Sequence, residues 1–391
     1  MKKILMLSLA LTILAPAVFA DDAMVMPAGV GRFYIAPNFS FAPGSFGNEA
    51  NWVWDLDRER EFDGNVQVFN LGFALEYGIN SWITAAVQWV PGWTPWSNIE
   101  PASGFANSNT NGVGDIFAGA KFQLVGANAP VQSDIVRFAI SAGAIIPLPG
   151  ADFDEEFSNV MAGNEATLSN MDRHVFGAGA RFHYDFIIND RWFINLFNET
   201  RFYPFRGDLN RHSPTMAGLP MGIFQQVFAG VYAAEIAGGA NHADASTAAN
   251  VAATAARGGA ITGLANATGE VNYRYQLTFE IEPVFSTFIA DGIRFTAGLP
   301  LTYRFTPAPE FSVTGITETL SGLGISLEDT LLGALATNDS HILSISPSVS
   351  VFFMSLPLPL EFKIHHTLPI RGRNTNATHT TVFQIRAYFA F

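Results

Sequence analysis

The sequence predicts an all-β fold: a transmembrane antiparallel β-barrel of about 12 strands, with long external loops that carry short helices. Three observations predict it. Twelve segments alternate apolar and polar side chains with period two, the spacing at which a strand separates its two faces. The connections between them alternate long and short along the whole chain, as the external loops and tight turns of a membrane barrel do. The last segment, 380–391, is apolar on one face and ends on a bare Phe391, an edge that is tolerable only if another strand covers it.

In chain order, Lys2 and Lys3 precede an apolar run over 4–14 and a small-residue site ending at Ala20. Residues 1–20 therefore read as a cleavable signal peptide, leaving 21–391 as a single barrel domain. No later run of eighteen or so apolar residues could form a helical span. The chain has no Cys, which excludes disulfide and thiolate chemistry, and 35 Phe with 35 Gly suit lipid-facing strands and close backbone contacts. A net charge of −13 argues against nucleic acid or anionic lipid as a partner.

The first strand, 30–42, sets Phe33, Ile35, Phe39 and Phe41 against Arg32, Tyr34, Asn38 and Ser40. The second, 65–77, has Phe69, Leu71, Phe73 and Leu75 outward and Asn70 and Glu76 inward, with a turn at 78–81 into a third strand over 82–90. The fourth, 114–125, opposes Ile116, Ala118 and Phe122 to Asp115, Gly119, Lys121 and Gln123; the fifth, 134–147, opposes Val136, Phe138 and Ile140 to Arg137 and Ser141. The sixth, 173–187, turns Arg181, His183 and Asp185 inward, and the seventh, 191–204, does so with Asn195, Glu199 and Arg201. The eighth, 272–289, sets Tyr273, Tyr275, Leu277, Phe279 and Ile281 against Arg274, Gln276, Thr278, Glu280 and Glu282. Asp291-Gly292 is a hairpin signal. The ninth strand, 293–305, places Arg294, Thr302 and Arg304 inside; the tenth, 341–354, a ladder of Ser344, Ser346, Ser348 and Ser350; the eleventh, 358–370, Glu361, Lys363 and His365; the twelfth, Gln384 and Arg386. An even strand number suits a single-chain bacterial barrel. Trp89, Trp93, Trp96 and Trp192 fall where interfacial girdles are expected.

The inward charges are Arg32, Lys121, Arg137, Arg181, Arg201, Arg274, Arg294, Arg304, Lys363 and Arg386 against Glu76, Asp115, Asp185, Glu199, Glu280, Glu282 and Glu361. Buried charge must be paired or wet, so these residues and the serine ladder either line a water-filled, weakly cationic path or form an ion-pair network that braces and fills the bore. The connections 205–271 and 306–340 are too long to be passive. In the first, Ile223, Phe224, Val227, Phe228, Val231 and Tyr232 share one face of an amphipathic helix, a candidate lid; 245–256 reads as a second, Ala-rich helix and 320–335 as a third.

No catalytic or metal site is assigned and no cofactor is expected. Asp172 and His174 lack a second acidic pair, and His365 and His366 point to opposite faces, so they cannot share a metal from a regular strand.

The last strand resembles the C-terminal strand of bacterial outer-membrane barrels, whose terminal aromatic belongs to the signal read by the barrel-assembly machinery; the resemblance implies that role for Phe389 and Phe391. Val113-Gly114-Asp115-Ile116 with Gly119-Ala120-Lys121-Phe122 resembles the GxGD…GAKY strand of the MetA-pathway phenol-degradation family of outer-membrane barrels, and Met26-Pro27-Ala28-Gly29-Val30-Gly31 fits the start of that family. That resemblance implies an outer-membrane transporter of aromatic or other hydrophobic compounds. Fatty-acid transporters of the outer membrane share the apolar external helices but carry an N-terminal plug, whereas this chain reaches its first strand soon after the signal peptide. The expectation is a Gram-negative outer-membrane channel or porin for passive uptake of small solutes. Its partners would be outer-membrane lipid, the assembly machinery and the solute. A structural or adhesin-like surface barrel is the alternative, and an outer-membrane hydrolase is disfavoured.

Overall fold

A computed structural model describes residues 23–47, 49–55, 61–98, 113–148, 155, 175–209, 213–335 and 338–390. Among these residues twelve strands close into one antiparallel barrel. They are β1 (Val30–Phe46), β2 (Glu61–Asn80), β3 (Ile83–Asn98), β4 (Ile116–Val125), β5 (Val136–Ile146), β6 (Gly177–Ile187), β7 (Trp192–Phe202) and β8 (Tyr275–Ala290). Then come β9 in two pieces (Ile293–Gly298 and Leu301–Thr306), β10 in two pieces (Ser340–Ile345 and Ser348–Phe353), β11 (Leu360–Arg373) and β12 (His379–Ala390). Each pairs with its sequence neighbour, and β12 returns to β1 with Val30 opposite Ala390 and Phe41 opposite His379. Closure removes every edge and satisfies the backbone within the ring, which is what a membrane interior demands.

The distribution of side chains is the inverse of a soluble protein's. Asn70, Glu76, Asp185, Glu199, Thr302 and Gln384 are buried inside the ring, while Phe33, Leu75, Val87, Phe279, Phe362 and Phe383 are exposed on its outer wall. Phe39 and Trp96 stack at 6.5 Å and Phe73 and Trp89 at 6.0 Å across neighbouring strands of that wall. β2 runs for 20 residues, whereas a tilted strand crosses hydrocarbon in roughly 9–11. The β1–β3 side of the barrel therefore rises well beyond the membrane, and the long connection read at 91–113 is strand as far as Asn98.

Other details depart from the sequence reading. The β2–β3 turn is at Ser81 and Trp82 rather than 78–81. β9 and β10 each break where Pro300 and Pro347 lack a donor. Their carbonyls still accept from the next strand, Ser346 N–H to Pro300 at 2.8 Å and His366 N–H to Pro347 at 3.1 Å. The eighth strand begins at Tyr275, not 272. Arg274 has a φ of 60° and its Nη1 lies 3.9 Å from Glu310 Oε1, so it belongs to the external face and not to the lumen. Tyr273 is buried beside Tyr203 and Val271 instead of facing lipid.

The external loops build their own small unit. Gly207–Asp208, Thr268–Asn272 and Glu310–Thr314 form a three-stranded sheet. On it pack α1 (Ser213–Ala237), α2 (His242–Leu264) and α3 (Leu327–Leu335). Ala245, Ala249, Ala253, Ala256 and Ala260 of α2 are buried, the four-residue repeat that lets two helices approach closely. Leu219 and Ile223 of α1, Leu264 of α2 and Leu327, Leu331 and Leu335 of α3 make one apolar cluster. The helix read over 320–335 is a 3₁₀ turn at Ser321–Leu323 followed by α3, the two separated at Gly324, whose φ is 69°.

Candidate functional site

Inside the barrel the charged side chains meet as a network. The Arg32 Nε–H donates to Glu76 Oε2 at 3.0 Å, and Gln88 Nε2 donates to the other Glu76 oxygen at 3.4 Å. Arg181 bridges onward, from Nη1 to Gln88 Oε1 at 3.0 Å and from Nε to Glu199 Oε1 at 2.7 Å. The second oxygen of Glu199 accepts from Arg201 Nε at 3.0 Å. Farther round, Arg386 reaches Glu361 at 3.2 Å, and the Tyr388 hydroxyl donates to the same carboxylate at 2.7 Å. Arg137 pairs with Asp185 at 3.3 Å. These contacts are the pairing that either reading of the inward charges requires.

Arg181 on β6 can reach Gln88 on β3, across β4 and β5, because those two strands place glycines inward between them. Gly119 opposes Gly143 and Gly143 opposes Gly179. A Cβ on Gly143 would sit 2.6 Å from the Phe117 ring, and one on Gly179 3.0 Å from it. The ring of Phe117 lies flat in this bay with the Arg181 guanidinium 4.2 Å above its centre, a cation–π contact. The sequence reading passed over Phe117, although its parity with Gly119 and Lys121 already placed it inward. Phe197, buried 5.3 Å from the ring of His183, was passed over in the same way.

The segment before β1 is not a free lead-in. The Ala23 N–H donates to both oxygens of Asp185, at 3.0 and 3.1 Å; Lys121 Nζ donates to the Met24 carbonyl at 3.2 Å; and the Met26 N–H donates to Thr84 Oγ1 at 2.7 Å. Residues 23–26 thus run across the short-turn end of the bore from β1 to β6. Gly78 makes room for them, since a Cβ there would lie 2.1 Å from the Pro27 carbonyl oxygen. Above the segment is a recess, open at its mouth and with ≈ 30 Å³ of free room, walled by Met24, Met26, Gln88, Phe117, Lys121 and Arg181.

On the opposite wall, Thr302 donates to Glu280 at 2.7 Å, Asn195 donates to Glu282 at 2.9 Å and Arg294 Nε donates to Ser286 at 2.7 Å. Ser344, Ser346, Ser348 and Ser350 are buried beside them, and Arg304 and Lys363 share their inward registers. Asp115 is half-buried just ahead of β4.

Among the lid candidates, Ile223 is buried in the helical cluster, while Phe224, Phe228 and Tyr232 form a half-buried row with rings 6.2 and 6.0 Å apart. The main contacts of α1 are with α2 and α3. Phe389 lies on the outer wall against Gly31. Residues 1–22, Asp172, His174 and Phe391 lie outside the described residues.

No protein-family model and no curated protein matches the chain. Solved structures do. The COG4313 outer membrane channel from Pseudomonas putida F1 superposes with a TM-score of 0.52 at 11% identity, over 96% of this chain and 100% of that one. A Pseudomonas aeruginosa FadL homologue gives a TM-score of 0.32 at 9% identity, over 93% and 90%. The CymD monoaromatic hydrocarbon channel gives 0.31 at 8%, over 94% and 89%. The first of these bears out the expected fold, an outer-membrane β-barrel.

Proposed function

We propose that this barrel is an outer-membrane channel for passive uptake of small solutes, with aromatic compounds favoured. The observation that carries the reading is the recess floored by residues 23–26. One ring, Phe117, lies against a glycine wall, a cation lies over it, and Met24 and Met26 close the floor. An aromatic solute of small size can exchange for the contacts that Phe117 and the methionines make, because thioethers and ring faces are adaptable partners. The ion-pair network keeps the wall rigid, so the movable part is the short N-terminal floor, held by hydrogen bonds that include those of Ala23, Met26 and Lys121. The resemblance to the phenol-degradation family supports the same solute class, and the solved channel of the same fold supports the class of activity.

The test is permeation. Purified protein in liposomes should admit phenol-sized solutes, and deletion of 23–28 should raise the rate. Vesicles that stay tight with both proteins would overturn the proposal. They would leave the second reading, a structural or surface-binding barrel, which the α1–α2 hairpin outside the barrel supports.

A further inference from the structure

We propose that the outer wall of β10 and β11, at the external end, binds the phosphorylated headgroup of an outer-leaflet glycolipid through Arg371 and Arg373. The argument starts from a register shift. Along β11 the outward residues are Phe362, Ile364 and Leu368, which would send 371 and 373 into the lumen. Between Leu343 and Ser344 of β10 the pairing slips by one residue on β11, so that Ser344 faces Pro369 while Leu343 faces Arg371. A bulge of this kind re-aims every side chain beyond it. Arg371 and Arg373 are consequently both exposed on the outer wall, with Gly372 buried between them. The lumen side is closed at that level by Phe46, whose ring a Cβ on Gly372 would meet at 2.1 Å.

The net charge of −13 argues against anionic lipid over the chain as a whole, but the surroundings of this pair suit an anionic lipid head. His341 stands directly opposite Arg373, and Trp52 directly opposite Arg371. The Arg371 guanidinium lies 5.3 Å from the Trp52 ring centre, which fixes its stem along the wall. Tyr303 and His341 are joined by a hydrogen bond of 2.6 Å, completing an aromatic rim below the cations. Neither arginine has a carboxylate partner among the described residues. The Arg371 Nε–H and Nη2 donate to the Ala50 carbonyl at 3.4 and 3.3 Å. Arg371 therefore offers its remaining Nη1 and Arg373 its guanidinium, two cations on one face and two residues apart, to phosphate oxygens. Below them the apolar wall supplies a track for acyl chains. Charge on a lipid-facing wall is tolerated only near the interface, which is where these residues end their strand. This proposal rests on the barrel fold alone and is independent of what passes through the bore.

The experiment is native mass spectrometry of the full chain in a non-ionic detergent. The probes are a bis-phosphorylated acylated glucosamine disaccharide, the same lipid without phosphates, and phosphatidylcholine. We expect only the first to be retained, and Arg371→Gln with Arg373→Gln to hold it roughly tenfold or more weakly, the factor that one or two charge-assisted hydrogen bonds supply. The Lys/Lys variant should retain an intermediate amount. Heat-modifiable migration on a gel reports that each variant still closes; if the double Gln variant does not, the two single variants are compared instead. Equal retention by wild type and Gln variants, equal binding of the phosphate-free lipid, or displacement by millimolar inorganic phosphate alone would each overturn the proposal.

Discussion

Glu199 is the residue on which the bracing network turns, because a single carboxylate holds two inward guanidiniums, those of Arg181 and Arg201. Removing one partner of a buried pair leaves charge uncompensated, at a cost of about 3–5 kcal/mol. We therefore expect Glu199→Gln to lower the urea midpoint of the detergent-solubilised barrel, and Glu199→Asp to restore part of it. A midpoint unchanged by Glu199→Gln would mean that water, not Glu199, neutralises those arginines. Gly78 offers a second test at this scale. Gly78→Val should push Pro27 away and release residues 23–26, raising permeability as the deletion of 23–28 does while leaving the closed barrel intact. An unchanged permeability in Gly78→Val would show the floor to be immaterial. The sequence displayed the charges of the bore because Arg and Glu on an apolar–polar alternation have only one place to go. It concealed Phe117, because a ring on the polar face looks like noise until Gly119, Gly143 and Gly179 are known to stand side by side. That adjacency is set by register across three strands, which no local pattern encodes.

Elements outside the membrane follow different rules. The α1–α2 hairpin was legible as amphipathic and Ala-rich stretches, and α3 was overextended by the reading because the break at Gly324 interrupts a run that is otherwise periodic. The start of α3 is made by a residue nine positions upstream of it: the Glu318 carboxylate accepts from the backbone N–H of Leu327 at 3.0 Å and of Glu328 at 3.1 Å. Those bonds to the charged form hold its pKa below the ordinary 4.5. A depressed carboxylate stabilises the fold above its unfolded pKa and loses that contribution as pH falls through the folded value. Protection factors for amide exchange at Leu327 and Glu328, corrected for the intrinsic rate, should accordingly fall once the pH drops below the usual Glu range, and Glu318→Gln should abolish that fall. Deletion of 215–265 tests the hairpin as a lid: if α1 and α2 restrict entry, liposomes carrying the deletion leak faster, and if they do not, the rate is unchanged.

At the scale of the whole molecule, the chain has two solvents to satisfy, water at both ends and hydrocarbon around the middle. Period-two patterning is then enforced on every strand, which is why all twelve could be read from the sequence with their order and pairing. What patterning could not convey were departures from regularity: the donor gaps at Pro300 and Pro347, the left-handed residue at Arg274 just ahead of β8, and the slip on β11. We expect the folded protein to migrate faster than its boiled form on a denaturing gel and to require detergent for solubility. A chain that stayed monodisperse without detergent would contradict the outward placement of Phe33, Phe279 and Phe383.

The threading of Ala23 onto Asp185 also dictates how the molecule can be handled. Under the channel reading, moving the segment that Ala23 anchors on Asp185 opens the recess, so an affinity handle joined close to residue 23 would alter any conductance recording. The exposed Gly238-Gly239 bend joining α1 to α2 is the better attachment point for an epitope or dye, since a Cβ on Gly239 would meet nothing within 4 Å.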